Sequence, residues 1–422
     1  MVASPEKGGQ KQNKIKVPIE PSPAKITALL TRGADPVRTN PTYKNWHSRI
    51  NKSFYGRIRP AKSFCKLVKS EIYPLINFKQ RHNAKYKTDS ILDTLTYVAM
   101  TNDFANNGAK TFRLTNGNRE TPHPDTVLYH LRKLNPEEIL AQFEGIFDKI
   151  YKMARKRRKF MNKVDLAVDF TDWLYYGNKS DPMVLGTQPR KGSHLAYKFA
   201  TISVVEKNQR FTLLALPVDN YSEMVNIVER LLTYAERKVK IRRVYLDRWF
   251  YQVRVVKMLK WHGVKFIIRT PEKKSIKRII AEGRETPIVV DYRIRSMRVW
   301  PPPAFEDVRL FIVNSCRNKD EKACFVTNLD VNKGNANRLA ELFRKRWGIE
   351  TSYRVEGMFR AKTTSKNYGI RLFYFMFSVC LYNLWILANI FMQAMFGRVR
   401  EKPMVTAKLF GTLLYMAPFD HG

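Results

Sequence analysis

Large apolar side chains alternate with acidic or small ones where the first strand is expected. In the stretch "KVDLAVDFTDW", residues 163–173, every second side chain from Val164 to Val168 is apolar, which is the repeat of a β-strand. We expect this strand to end at Asp169. A second carboxylate, Asp172, follows three residues later, and we expect it in the turn or behind the site.

The pattern after this strand alternates between sheet and helix. Two more strands, "LAYKFATISVVE" and "RFTLLALPV", precede "YSEMVNIVERLLTYAERK", which has the apolar spacing of an amphipathic helix. The strand "RRVYLD", the helix "FYQVRVVKMLKWH" and the strand "VKFIIRT" follow. The order β-β-β-α-β-α-β predicts an α/β fold whose mixed sheet carries helices on both faces.

The segments around this core have other patterns. Apolar residues in "TDSILDTLTYVAMTN" have helical spacing, whereas "PIVVDYRIRSMRVW", "VRLFIVNS" and "KACFVTNLDV" resemble short antiparallel strands. The predicted organisation is a basic flexible arm over 1–60, a helical region over 61–160, the first part of the core over 161–270, an inserted antiparallel β region over 271–335, a second core part with a helix over 336–370 and an apolar helical region over 371–422.

The charge of the chain indicates the kind of partner. Its 422 residues include 76 Lys and Arg against 37 Asp and Glu, which gives a formal net charge of +39. Nucleic acid is the first candidate, because Lys and Arg that neutralise phosphates release condensed counterions. An anionic membrane is the second. The basic run "RKRRK" at 155–159 is as readily a solvated helix face as a phosphate contact. Because the whole chain is strongly basic, we expect the region 61–160 to bind DNA.

One apolar segment bears on the cellular location. Residues 372–396 carry no charge and are long enough to span a bilayer. Polar residues interrupt the segment, so we expect a helix buried within the protein and no membrane, with a membrane span as the alternative. The four cysteines include no CxxC pair, and the N-terminal segment has no apolar core of signal-peptide length. We therefore expect reduced thiols and a cytoplasmic protein.

Two predicted strands each end in an aspartate, Asp169 and Asp247. Ligands of α/β sheets collect outside the carboxyl ends of the strands, so both carboxylates can face one crevice. A third acid, Glu350, lies on a predicted helix between Arg346 and Arg354. Three oxygen ligands without His or Cys suit Mg²⁺ or Mn²⁺ and disfavour zinc. Two such ions would catalyse an in-line phosphoryl displacement.

These motifs together resemble a known family. The strands "LAVDFTD" and "VYLDRWFY", the β-rich insertion and the helix "FRKRWGIETSYR" are similar to insertion-sequence transposases of the DDE class over residues 160–395. The resemblance implies the RNase H-like fold shared with retroviral integrases, with Asp169, Asp247 and Glu350 as catalytic residues and ligands of two Mg²⁺ ions. It also implies an enzyme that cleaves the double-stranded DNA ends of its element and joins their 3′-ends to target DNA. Such an enzyme is expected to act as a homodimer on DNA, in association with the nucleoid.

The helix that carries Glu350 departs from the pattern of this family. The signature is Tyr, two residues, Arg, three residues, Glu, six residues and Lys. Here Phe343 stands in the Tyr position and Gly357 in the Lys position, whereas Arg346 and Glu350 match. The positive charge that would contact the terminal phosphate must therefore come from elsewhere. The candidates for DNA contact are Arg346, Arg354, Lys362, Arg248 beside the second aspartate and, by stacking on a base, Trp300 in the insertion.

Alternatives remain at two levels. Arg346 and Arg354 can simply pair with Glu350 on their helix, and Trp300 can pack against the prolines that follow it. For the whole protein, an RNase H-like nuclease without strand transfer uses the same acids. A DNA-binding derivative that has lost catalysis is a further alternative, although the complete set of acids argues against it. A strand-transfer assay with paired ends separates the first two activities.

Overall fold

The structure is a computed structural model of the 422-residue chain. It describes the residues 58–116, 120–179, 181–206, 209–283, 285–297, 304–315, 321–396 and 403–417. The predicted arm over 1–60 therefore lies almost entirely outside the described residues, as does Trp300.

The described chain begins with helices, as the sequence predicted. These are α1 over 58–72, α2 at Thr88–Met100, α3 at Ala105–Asn116, α4 at Pro124–Arg132 and α5 at Pro136–Lys156. The start of α5 shows why the chain turns helical there. The Asn135 side chain accepts the Glu138 N–H, the Glu138 side chain accepts the Asn135 N–H, and a proline stands at the first helical position.

Within the described part of the chain, one mixed sheet of nine strands follows. The strands are β1 at Val164–Tyr175, β2 at Val184–Arg190, β3 at Ser193–Glu206, β4 at Gln209–Val218, β5 at Ile241–Leu246, β6 at Phe266–Arg269, β7 at Ile288–Ser296, β8 at Ala304–Asn314 and β9 at Lys322–Thr327. Their order across the sheet is β2-β3-β1-β5-β6-β9-β8-β7, and β4 also pairs with β3. The pairs β1 with β5 and β5 with β6 are parallel. The mixed α/β sheet is thus confirmed.

The first strand is longer than the sequence indicated. The expectation that it ends at Asp169 is wrong, because β1 continues to Tyr175. The antiparallel ladder with β3 runs on to the pair Tyr175 and Leu195, so the backbone of β1 keeps a partner on one side after the partner on its other side has ended. Asp172 consequently lies within a strand and not in a turn.

The three strands of the predicted insertion are antiparallel, as expected. They do not form a separate sheet, however, because β9 pairs with β6 from Ile267 and Thr327 to Arg269 and Phe325. The hydrogen bonds of the core sheet therefore continue through β9, β8 and β7. This arrangement leaves β6 with a partner on both sides.

Helices cover both faces of the sheet. They are α6 at Met224–Glu236, α7 at Val253–Trp261, α8 at Lys274–Glu282, α9 at Lys333–Phe343, α10 at Trp347–Met358, α11 at Tyr368–Phe396 and α12 at Ala407–Met416. The alternation along β1 separates two apolar clusters. Leu166 and Val168 belong to the larger cluster, whereas Ala167 packs on the opposite face with Phe343 and Ile349 from α9 and α10.

By length and composition alone, helix α11 could cross a membrane. In this fold, however, 83% of its most apolar window is buried. The burial agrees with the expected core helix. Its buried Asn383 binds the backbone of a strand: the side chain donates to the Thr212 carbonyl oxygen at 2.7 Å and accepts the Thr212 N–H at 3.0 Å. Thr212 lies at a shift in the β3–β4 register, where the backbone needs a partner from outside the ladder.

Three of the cysteines, Cys65, Cys324 and Cys380, are buried free thiols, as the sequence suggested. Burial raises the pKa of the Cys324 thiol to about 11, so this group is an inert part of the core. Cys316 lies outside the described residues.

Candidate active site

Asp169 and Asp247 are neighbours because two parallel strands separate where they stand. The last residue pair of the β1–β5 ladder is Val168 with Leu246, and the next residue on each strand is an aspartate. Paired residues of adjacent parallel strands direct their side chains to the same face. The end of β5 opens the sheet at this point, so both carboxylates border the same space.

That space is a cleft with a volume of about 870 Å³. It is lined by Asp169, Asp172, Asp247, Tyr353, His194 and Trp249 together with residues of β2 and β3. The crevice predicted from the two strand ends is therefore present. His194 also borders this cleft.

Asp169 is held from the side of α10. The Arg346 guanidinium donates to Asp169 Oδ2 at 2.9 Å, and the side chains of the two residues are only 6% and 14% exposed. The Tyr353 hydroxyl lies 3.2 Å from the Asp169 carbonyl oxygen and 2.6 Å from the Thr201 hydroxyl. Burial, followed by the negative charge of Asp169, holds the pKa of Tyr353 well above its ordinary range. Tyr353 therefore stays a neutral hydroxyl.

Asp247 is held by the backbone that follows it. Its Oδ1 accepts the Arg248 N–H at 2.8 Å, at the start of the short 3₁₀ helix Arg248–Phe250. Among the described residues, the other carboxylate oxygen has no hydrogen-bond partner. One oxygen thus orients the carboxylate and the second is free to bind a ligand.

Position 350 lies on α10 between the two residues that contact Asp169. Arg346 precedes it by four positions and Tyr353 follows by three, and residues at these spacings share one face of a helix. The side chain of Glu350 itself lies outside the part of the chain that the structure describes. Among the described side chains, no group of three acidic, His or Cys residues could hold a metal ion; the pair Asp169 and Asp247 is present.

A second acid on the same face of β1 escaped the sequence analysis. Asp165, four residues before Asp169, is fully buried and accepts from Lys345 at 2.7 Å, the Tyr245 hydroxyl at 3.0 Å and Arg243 at 3.2 Å. Burial acts to raise the pKa of Asp165, but the hydrogen bond from Lys345 and the charge of Arg243 outweigh it and lower the pKa. Lys345 and Arg346 thus bind two acids of the same strand.

Asp172 binds residues of β2 and β3, which lie on the side of β1 opposite to β5. It accepts from Lys198 and Thr187, both at 2.6 Å, and from Arg190 at 3.0 Å. These three residues belong to β2 and β3. A carboxylate with three donors joins the strands that flank the cleft.

The residues predicted to contact DNA differ in their exposure to solvent. Arg248, Arg354 and Lys362 are exposed, and Arg354 has no ion pair with a described side chain. Arg346 is instead buried against Asp169. Trp300 lies outside the described residues.

A mixed sheet with two aspartates at the separating ends of parallel strands, covered by a helix that contacts one of them, is the arrangement expected of the RNase H-like fold of DDE transposases. The family model of the transposase DDE domain matches residues 160–384, more than half of the chain, and this protein belongs to that family. Among solved structures, the chain is similar to the piggyBac transposase in the cryo-EM structure of its synaptic complex with hairpin DNA. The two are 16% identical with a TM-score of 0.54, over 87% of this chain and 81% of that one. No curated protein matches.

Two features of the site were missed by sequence reasoning. The period-2 pattern already placed Asp165 and Asp169 on one face of β1, so the buried acid was open to prediction. The basic residues that bind it could not be found, since Arg243 and Lys345 are distant in sequence and look like surface charges. Tyr353 was likewise hidden within an ordinary helical pattern.

Proposed function

We propose that this protein is a DNA transposase that binds the ends of its own element, cleaves them with the help of divalent metal ions and joins their 3′-ends to target DNA. The observation that carries the proposal is the pair Asp169 and Asp247, each the first residue after the last β1–β5 pair and both lining one cleft. The family to which the chain belongs supports it.

The residues present fit the Mg²⁺ or Mn²⁺ ions that such a site implies. Carboxylate oxygens are the ligands that these ions prefer, and Asp247 keeps one oxygen unengaged among the described residues. Asp169 and Asp247 would hold the ions, with Glu350 of α10 as the third ligand. When bound, two divalent ions activate a water or a 3′-hydroxyl and stabilise the leaving oxygen of the phosphodiester.

The protein itself provides position and charge. The Arg346 guanidinium holds the Asp169 carboxylate in place, and the Tyr353 hydroxyl connects the backbone of β1 to α10 by a hydrogen bond. The exposed Arg248, Arg354 and Lys362 contact phosphates of the bound DNA. With a net charge of +39, the rest of the chain supplies affinity that does not depend on sequence. Because transposition must bring two element ends together, the active form is a homodimer on double-stranded DNA.

The test uses the purified full-length chain, Mg²⁺ and the DNA that flanks its gene. Wild type is expected to nick the 3′-ends and to join them to a second duplex, whereas Asp169→Asn, Asp247→Asn and Glu350→Gln bind the ends but do not cut. Each of these substitutions removes a metal ligand and no phosphate contact. Cleavage retained by one variant removes that residue from the site.

Strand transfer separates the proposal from its main alternative. A nuclease of the same fold would cut the ends and leave them unjoined, even with paired ends and abundant target DNA. Binding without cleavage by wild type, with Mg²⁺ and with Mn²⁺, would instead identify a DNA-binding derivative.

A further inference from the structure

A second cleft lies beside the active-site cleft. Its volume is about 530 Å³, within the range of roughly 300–1,000 Å³ typical of sites that enclose small ligands. The residues that give it chemical character are Phe104, Trp173, Tyr176, Arg360, Lys362, Lys366 and Arg371. We call it the basic cleft.

The basic cleft carries positive charge without compensation. None of its lining residues is an Asp or Glu, and none of its four cations forms an ion pair within the described part of the chain. The active-site cleft differs, because Asp172 there neutralises Lys198 and Arg190. One acid that acts on the basic cleft is the buried Glu356, whose pKa burial raises to about 7 despite the charge of Arg360. An anion is therefore the favoured occupant.

Two arginines of the basic cleft are held in place by an aromatic ring. The guanidinium carbon of Arg360 lies 4.7 Å from the centre of the Trp173 ring, and that of Arg371 lies 5.3 Å from it. Arg371 is 4% exposed and donates to the Ser365 carbonyl oxygen at 2.7 Å. These contacts preorganise the charges, since an arginine fork stacked on a ring loses little freedom on binding.

Two further aromatic side chains are available for stacking. Phe104 is 41% exposed and Tyr176 is 66% exposed, although both line the cleft. Large exposed aromatics beside unpaired cations are the combination that binds unpaired nucleic acid, in which bases stack on rings and phosphates meet the charges. A duplex hides the faces of its bases and is too wide to enter a cleft of this size.

The basic cleft adjoins the active-site cleft along two elements. On β1, Thr171 and Asp172 line the active-site cleft and Trp173 lines the basic cleft. On α10, Tyr353 and Gly357 stand in the same relation, one helical turn apart. Trp173 follows Asp169 by four residues, or about 13 Å of extended strand. One DNA strand can therefore continue from the scissile phosphate into the basic cleft.

We propose that the basic cleft binds unpaired nucleotides of the DNA strand next to the cut, with bases on Phe104 and Tyr176 and phosphates on Arg360, Lys362 and Lys366. The inference rests on the proposed function and deepens it. A protein with this cleft distinguishes DNA that has a short single-stranded tail from blunt DNA, before and apart from any cleavage.

The test measures affinity by fluorescence anisotropy, with the full-length chain in EDTA. The probes are a labelled blunt duplex of fixed sequence and the same duplex with a short 3′ or a short 5′ overhang. Wild type is expected to bind one tailed duplex more tightly than the blunt one. Phe104→Ala and Tyr176→Ala should each reduce that preference by about fivefold to a hundredfold. Trp261→Ala is the control, because Trp261 is 78% exposed and lies outside the cleft.

Gly357 permits a matched pair of variants. Gly357 lines the cleft, and a Cβ at this position meets no atom within 4 Å, so there is open space where a side chain would begin. Gly357→Trp is expected to abolish the preference for the tail and to leave blunt affinity unchanged, whereas Gly357→Ala keeps both. Equal unfolding temperatures of the two variants confirm that the fold is intact.

The outcomes are separable. The proposal is overturned if wild type binds tailed and blunt duplexes equally, or if the cleft variants weaken both by the same factor, which would show a general DNA surface. A preference for an overhang that survives Gly357→Trp would place the tail elsewhere and overturn it too. If wild type binds no DNA at all, the proposed function itself fails.

Discussion

Arg346 Nη1 lies 2.9 Å from Asp169 Oδ2, and both side chains are largely buried. Arg346 was chosen from the sequence as a candidate for phosphate contact, yet its charge is directed to a proposed metal ligand. The arginine supplies the positive charge that Asp169 requires when no cation is bound, since an ionised carboxylate removed from water needs a counter-charge.

Arg346→Ala is therefore expected to lower the free energy of unfolding by about 3 kcal/mol, because it removes the ion-pair partner of a largely buried carboxylate. Mg²⁺ should recover part of this loss by binding the same carboxylate in the folded state. Thermal unfolding of wild type and variant with and without Mg²⁺ measures both effects. Arg354→Ala, an exposed arginine of the same helix, should change stability by no more than about 0.5 kcal/mol. An identical loss with and without Mg²⁺ would contradict the shared carboxylate.

Asp172→Asn should separate structure from chemistry within one strand. Asp172 binds Lys198, Thr187 and Arg190, so we expect its loss to cost about 1–3 kcal/mol of stability, because the buried Lys198 amine loses its partner. DNA cleavage below the unfolding temperature should persist, in contrast to Asp169→Asn. Urea unfolding and a nicking assay on the same preparations test this. A cleavage defect as deep as that of Asp169→Asn would make Asp172 part of the catalytic set.

Much of the fold could be predicted because it depends on local periodicity. The alternation in β1 and the order of helices and strands led to the mixed sheet, and each of the two aspartates stands immediately after the last pair of a parallel ladder. The end of β1 was not predictable, since it depends on the length of β3, its partner on one side. The joining of β9 to β6 also depends on a pairing between distant segments.

The limits within the site have the same origin. Asp165 has a chain-local signal, namely its face of the strand, but the contacts of Lys345 and Arg243 with it depend on tertiary packing. The basic cleft unites Phe104, Trp173 and Arg360 from three distant segments. Exposed aromatic rings and unpaired cations are recognisable only after folding has placed them side by side.

Asp165→Asn is expected to be among the most destabilising single changes at this site. The substitution removes the buried counter-charge of Arg243 and leaves Lys345 with only its longer ion pair to Glu206 at 3.4 Å, which costs about 3 kcal/mol. The pKa of Asp165 is lowered below its ordinary value of 3.8, so the stability from its ionised form is present above that pH and is lost as pH falls through the folded value. The difference between wild type and variant, measured by urea unfolding, should therefore be large at neutral pH and shrink in acid. Asp291→Asn provides the control, since Asp291 is 88% exposed and should have little effect. A difference that is constant with pH would mean that Asp165 is not ionised.

Arg354→Ala tests the role of the exposed arginine in DNA binding. Loss of one phosphate contact should make the dependence of log Kd on log salt shallower by about 0.9 with duplex DNA. Thermal stability should be unchanged, because Arg354 has no ion pair with a described side chain. If the arginine only pairs with Glu350, the salt slope stays as it is and stability falls slightly. Measuring both quantities on one variant decides between the two roles.

Glu356→Gln is expected to stabilise the protein, and more strongly as pH rises. Glu356 is 3% exposed and its Oε1 accepts from the Thr212 hydroxyl at 3.4 Å, a contact that a glutamine oxygen can keep. Burial raises the pKa of Glu356 from its ordinary value of 4.5 to about 7, against the opposing charge of Arg360. Its contribution to stability is therefore complete below pH 4.5 and is lost as pH rises through the folded value. The difference between the two pKa values corresponds to on the order of 3 kcal/mol.

Thermal unfolding at about pH 5 should show wild type and the Glu356→Gln variant nearly equal, whereas at about pH 8 the variant should unfold at the higher temperature. The surface variant Glu341→Gln should show no such divergence. A wild type that is more stable than Glu356→Gln at the higher pH would show that Glu356 is ionised and forms a stabilising pair with Arg360.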